Sequence, residues 1–265
     1  MKLRQLFLSK KNIYIIYIML KQLQNIDYKL TKIIYDFFDN KALKGIAHYF
    51  GLIPYEFYVI PGMYLAIFQV VWYGVLGPIQ FHLLPHWFAY SIFQFMKKSI
   101  KRERPGCKYK NMSKYIDESH CTHGHQNQSF PSGHTGVASS LATALFMEMN
   151  YSDNPQFFDM DIKSQNIRKI IGGLGLSVAA MISLHRISKG YHSLFDVLCG
   201  FIIGASIGYV SWTTLESCKK NIDEKFIEEN QQLITGAKVA LTIPILFLTF
   251  KFLTKDVFKL ASIKH

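Results

Sequence analysis

Apolar and polar positions are sharply segregated along the chain. Three long runs stand out, over residues 57–76, 194–215 and 237–253. In the first, Gln69 is the only strongly polar member, and the second is interrupted chiefly by Asp196. The third carries Lys238 and Lys251 near its ends, where long stems can reach back to water. Each suits a helix of about 20 apolar residues, the length needed to cross a hydrocarbon core. Weaker runs cover 79–96, 133–149 and 170–187; they are shorter or carry Gln80, His82, His86, Glu148 or His185. Six such runs in 265 residues predict an all-α fold, a polytopic transmembrane helix bundle of about six spans, rather than the core helices of a soluble protein. Gly200, Gly204 and Gly208 fall every fourth residue on one face of the fifth run, a spacing that lets a neighbouring backbone come close.

The beginning of the chain differs. Residues 12–20 are too short to span, follow Lys10 and Lys11, and meet no small-residue cleavage site before Lys21. Across 26–49, Leu30, Ile33, Ile34, Phe37 and Phe38 interleave with Lys29, Lys32, Asp36 and Asp39. That pattern predicts an N-terminal interfacial amphipathic helix lying on the membrane surface. No internal repeat or low-complexity linker divides the chain.

Charge changes the picture less than its sum suggests. The net charge is +12, yet the basic residues crowd the connections, eight of them within 97–132. A nucleic-acid binder needs a continuous basic surface, which flanking spans preclude, so no nucleic acid is expected. Phosphorylated lipids and the anionic membrane surface are the fitting partners, and the sequence leaves room for a homodimer.

Three clusters at span ends carry chemistry. Lys97 is followed by six residues and then Arg104-Pro105; Pro131-Ser132-Gly133-His134 opens the third run; Arg186 precedes His192 by six positions and Asp196 by ten. His192 and Asp196, four apart at a helix start, share a face. A carboxylate on one imidazole nitrogen would fix the tautomer and leave the other nitrogen as nucleophile or base. Asp196 lies inside an apolar run, where an ionisable residue points to function. Ser132 is a favoured N-cap, Gly133 lets a ligand approach the backbone, and such a corner attracts anions. His134 is placed to give a proton to a leaving group. Lys97, Arg104 and Arg186 supply positive charge matched to phosphate oxygens. Alternation of the spans puts all three clusters on one membrane face.

In combination these blocks resemble the type 2 phosphatidic acid phosphatase superfamily, which also holds vanadium haloperoxidases and glucose-6-phosphatase-like enzymes. The signature stands here as KKSIKRERP from Lys97, PSGH from Pro131 and HRISKGYHSLFD from His185. His185 replaces the usual Ser of the third block, a change that touches the positioning of phosphate by Arg186. The resemblance covers roughly 30–215 and implies the domain plan 1–55 interfacial segment, 56–215 catalytic membrane domain, 216–265 loop with an additional span. It implies a lipid phosphate phosphatase acting on a phosphate monoester or diphosphate through a phosphohistidine. His192 would be the nucleophile, Asp196 its orienting carboxylate and His134 the acid. Lys97, Arg104, Ser132, Gly133 and Arg186 would bind phosphate, with no metal and no cofactor. A lipid phosphotransferase of the inositol phosphorylceramide synthase type is the alternative enzyme, though such relatives generally lack the Lys97–Pro105 block. A catalytically silent phospholipid-binding membrane protein is the other.

His120, Cys121, His123 and His125 form a dense run that matches no standard zinc spacing. Cys107 and Cys121 share that loop and can pair on an oxidising face. The basic residues of the active-site face argue for the cytosol, whereas the sequons at Asn111 and Asn127, and the habit of relatives, argue for the lumen. The expectation is an integral protein of an endomembrane, such as the endoplasmic reticulum, with a lumenal site.

Overall fold

A computed structural model describes residues 10–39, 43, 45–46, 49, 80–116, 118–122, 125–152, 156–157, 160–161 and 163–221. The first and last spans expected from sequence, 57–76 and 237–253, lie outside the described residues. The described chain is helical. Its helices are α1 (Lys10–Phe37), α2 (Gln80–Ile100), the short α3 (Pro105–Lys108), α4 (Gly133–Tyr151), α5 (Gln165–Ser188) and α6 (Leu194–Asn221). One addition to the all-α expectation is a minimal antiparallel pair, β1 (Gln156–Phe157) with β2 (Met160–Asp161), between α4 and α5.

The centre of the bundle is α4, packed against α6, α5 and α2. Small residues permit this. A methyl group at Gly200 would lie 2.7 Å from the Ser132 carbonyl oxygen, and at Gly204 or Gly208 it would run into the carbonyl of Gly136 or Ser140. The glycine stripe read from the sequence is therefore the seam between α6 and α4. Two apolar clusters flank it. Ala89, Phe93, Val137 and Leu141 join α2 to α4 beneath Ile203 and Ile207. Ala138, Ala142, Ala179 and Ile182 join α4 to α5 beside Phe201.

Two described helical segments, Gln165–Ser188 and Leu194–Ser217, are long and apolar enough to cross a membrane. Their outward faces carry Ile170, Leu174, Ile202 and Val210, all exposed. A surface of this kind is stable against lipid and costly against water.

The N-terminal helix α1 is continuous, joining two stretches that the hydropathy pattern separates. Asp27, Thr31 and Tyr35, each four residues on from the last, are buried, while Leu23, Ile26, Leu30, Ile33 and Phe37 are exposed. Its polar stripe thus faces the protein and its apolar stripe faces outward, the reverse of an amphipathic helix on a soluble domain.

Candidate active site

The site is built around the start of α6. Ser193 and Asp196 form a reciprocal cap: the Asp196 N–H donates to Ser193 Oγ at 3.2 Å, and the Ser193 N–H donates to Asp196 Oδ2 at 2.9 Å. The two preceding first-turn donors are satisfied from α1. Leu194 N–H donates to Thr31 Oγ1, and Phe195 N–H to Asp27 Oδ1, each at 2.9 Å. A helix start that would otherwise leave buried donors unmet is closed by a distant segment.

Asp196 is fully buried and takes more partners than its cap. Arg102 Nη1 donates to Asp196 Oδ1 at 2.7 Å, and the Ser129 hydroxyl donates to Asp196 Oδ2. Arg102 Nη2 reaches Asp27 Oδ2 at 2.5 Å, so one guanidinium bridges two carboxylates. His192 Nδ1 lies 2.7 Å from the backbone carbonyl of Ser129. A carbonyl can only accept, so Nδ1 carries the proton and Nε2 the lone pair. This modifies the sequence expectation. His192 and Asp196 do share a face, with Nδ1 3.9 Å from Oδ2, but the carboxylate orients the ring through Ser129 rather than by a direct hydrogen bond. Asp196 is occupied by Arg102, Ser129 and the cap, which leaves the Ser129 carbonyl as the nearer acceptor.

His192 follows a tight turn at the end of α5. Gly190 there has φ +72°, the left-handed region glycine enters without strain, and a methyl on it would lie 2.7 Å from the Met112 carbonyl oxygen. His192 Nε2 is buried and has no hydrogen-bond partner among the described residues. Burial first, then the positive fields of Arg104, Lys97, Arg186 and His134, hold the His192 pKa well below its ordinary 6.5. The ring is neutral at physiological pH.

The other expected residues converge on this ring. Lys97, in the last turn of α2, and Arg104 and Arg186 are all buried. A methyl on Gly133 would sit 3.3 Å from Lys97 Nζ, which sets the ammonium beside the start of α4. Arg104 is clamped by the long loop: its N–H bonds the Gln126 carbonyl at 2.8 Å, its Nε the His125 carbonyl at 3.0 Å, and its Nη1 the Tyr191 carbonyl at 3.2 Å. Arg186 lies over the Tyr191 ring, 4.4 Å from its centroid. Ser132 occupies the N-cap of α4, but its hydroxyl donates to Thr135 Oγ1 at 2.9 Å and makes no capping bond. It therefore does not compete with an anion for the first-turn N–H groups. His134 follows in that turn. His185, the departure from the motif, is buried at the end of α5.

The His-rich loop has a structural part here. His120 packs on the Tyr191 ring at 4.6 Å, and Cys107 and Cys121 form a disulfide that closes the loop. His123 lies outside the described residues. The Asn111 side-chain amide donates to Tyr28 Oη at 2.8 Å, which engages the nitrogen a glycan would need.

Sequence reasoning missed Asp27, Thr31, Arg102, Ser129, Tyr191 and Ser193. Only one of these had a readable signal: Ser193-Leu-Phe-Asp196 has capping-box spacing.

Among solved structures, the chain is similar to the first transmembrane PAP2-type phosphatidylglycerolphosphate phosphatase from Bacillus subtilis, with a TM-score of 0.54 and 17% identity over 77% of this chain and 89% of that one. It is also similar to LpxE from Aquifex aeolicus, with a TM-score of 0.46 and 20% identity over 70% of this chain and 93% of that one. No curated protein matches it. The PAP2 superfamily model matches residues 83–220, a stretch holding all three motif blocks and nearly all of the α2–α4–α5–α6 core, and by that match the chain belongs to the PAP2 superfamily.

Proposed function

We propose that the chain is an integral-membrane lipid phosphate phosphatase, hydrolysing a phosphate monoester or diphosphate through a phosphohistidine on His192. The observation that carries this reading is the His192 ring. Its Nδ1–H is held by the Ser129 carbonyl, and its buried Nε2 lies within the fields of Lys97, Arg104 and Arg186.

The steps follow from that arrangement. The three cations and the α4 N-terminus hold the phosphoryl oxygens, where charge must be stabilised in the transition state. The His192 Nε2 lone pair attacks phosphorus in line as the bond to the leaving oxygen breaks. His134, protonated as the phosphate anion enters beside it, gives its proton to that oxygen. Water then attacks the phosphohistidine, the P–N bond breaks, and His134 takes the proton from water. Inorganic phosphate leaves. The cations do the electrostatic work that a magnesium ion does in other phosphoryl-transfer enzymes.

A lipid substrate suits a site at the ends of apolar helices, because the tail stays in the bilayer while the headgroup enters. Phosphatidate, lysophosphatidate, sphingosine phosphate and polyprenyl diphosphate all have the required form. The disulfide in the loop that clamps Arg104 supports an oxidising, lumenal face for the site.

The test is phosphate release in detergent micelles from those four lipids, with EDTA present, for wild type and His192→Ala. Release that resists the chelator and disappears in the variant is expected. No release from any lipid by folded protein overturns the phosphatase reading in favour of transfer or binding, and release abolished by EDTA overturns its metal independence.

A further inference from the structure

The bridge between Asp27 and Asp196 links α1 to the nucleophile. Starting at the ring, His192 Nδ1–H is held by the Ser129 carbonyl; the Ser129 hydroxyl is held by Asp196; and Asp196 is held by Arg102. Arg102 is half-exposed and long, and a flexible guanidinium fixes a partner only if it is itself fixed. Its second nitrogen is held by Asp27, whose other oxygen accepts the Phe195 N–H one position before Asp196. Thr31, one turn along α1, accepts the Leu194 N–H. The same face of α1 therefore steadies Asp196 twice, through the guanidinium and through the backbone of the turn that bears it.

From this, resting on the phosphatase reading above, we propose that Asp27 is a positioning residue for the phosphoryl-transfer step: α1 completes the active site by locking Arg102, and through it Asp196 and Ser129, so that His192 Nε2 points at phosphorus. Asp27 reaches Arg102 and the backbone of Phe195, on the nucleophile side of the site, so its loss bears on nucleophile alignment rather than on phosphate binding. An apolar outer stripe on the same helix sets this lock at the lipid surface, where substrate arrives.

A cavity of about 220 Å³ adjoins the bridge, lined in part by Asp27, Arg102, Lys108 and Tyr28. Removing the Asp27 carboxyl opens a slot beside Arg102 that a formate ion can fill, and this gives a test that a merely structural role would not pass.

The measurement is steady-state phosphate release for wild type, Asp27→Asn, Asp27→Ala and Arg102→Met, without and with formate. Asp27→Ala should lose kcat by about 10- to 100-fold with KM within about threefold, since misalignment costs rate rather than binding. Formate should restore much of that kcat in Asp27→Ala and none in Arg102→Met. Asp27→Asn, which keeps an acceptor for Phe195, should fall between wild type and Asp27→Ala. Wild-type kcat in Asp27→Ala, or a loss that formate leaves untouched, overturns the positioning role while the phosphatase reading stands. Absence of release from wild type sinks the phosphatase reading, and this proposal with it.

Discussion

The two ends of α4 bury polar groups in opposite ways. At its C-terminal end, Glu148 is buried and accepts a hydrogen bond from Trp212 Nε1 at 3.1 Å, while Ser152 Oγ lies 3.5 Å from Glu216 Oε1. At its N-terminal end, Lys97, Arg102, Arg104 and Arg186 gather with two carboxylates, Asp27 and Asp196, both of which Arg102 engages. Among the described residues around His192, cations exceed carboxylates by two. Burying such an excess is costly without a counter-ion. At one end Glu148 and Ser152 meet partners from within the fold; at the other, on the proposed function, the excess is matched by a phosphate dianion that arrives from outside. The same helix and the same glycine seam serve both, so the contrast lies in the side chains and not in the packing.

By this contrast, changes at the N-terminal end should act on turnover and changes at the C-terminal end on stability alone. Replacing His192 with Ala has the largest effect: phosphate release should fall at least about 10⁴-fold, with the variant still folded by circular dichroism. Arg104→Ala and Arg186→Ala should each cost about 10²- to 10³-fold in kcat/KM, because each removes a preorganised charge from the transferring group.

A pH experiment sharpens the comparison. His192 has a folded pKa pushed well below 6.5 by burial and by the neighbouring cations. Below pH 6.5 the unfolded imidazole takes a proton that the folded one refuses. Its contribution to stability is thus fully present above that pH and is lost as pH falls. Melting temperature in detergent should drop on acidification, and His192→Asn should flatten the slope by up to about 1.4 kcal/mol per pH unit. The smallest effect belongs to Glu148→Gln, which keeps an acceptor for Trp212. Phosphate release should stay within about twofold of wild type and stability should change by about 1 kcal/mol or less.

What the sequence disclosed depends on distance along the chain. The Lys97–Pro105, Pro131–His134 and His185–Asp196 blocks were legible because each is local, lying at a helix end within a dozen residues of chain. The glycine stripe was legible for the same reason, since a four-residue period on one helix needs no knowledge of its neighbour. Arg102 was not, because within a stretch of closely spaced basic residues only the fold decides which one meets a buried carboxylate. Asp27 and Thr31 drew no notice beside Lys29, Lys32, Asp36 and Asp39, the polar residues of an expected surface helix. The backbone donors they cap are more than 160 residues away, at the start of α6, and no local pattern reports such a contact. The bond from His192 Nδ1 to the Ser129 carbonyl was hidden in another way, because backbone acceptors leave no mark in side-chain identity.

The central claim is that His192 Nε2 attacks phosphorus. The most direct test is a rapid acid-free quench of wild-type protein during turnover of a ³²P-labelled lipid phosphate, followed by mapping of the label. An acid-labile, alkali-stable phosphoryl group on Nε2 of His192 is expected, absent from His192→Ala. Turnover with no label on the protein, or label on Nδ1 or on any other residue, would contradict it.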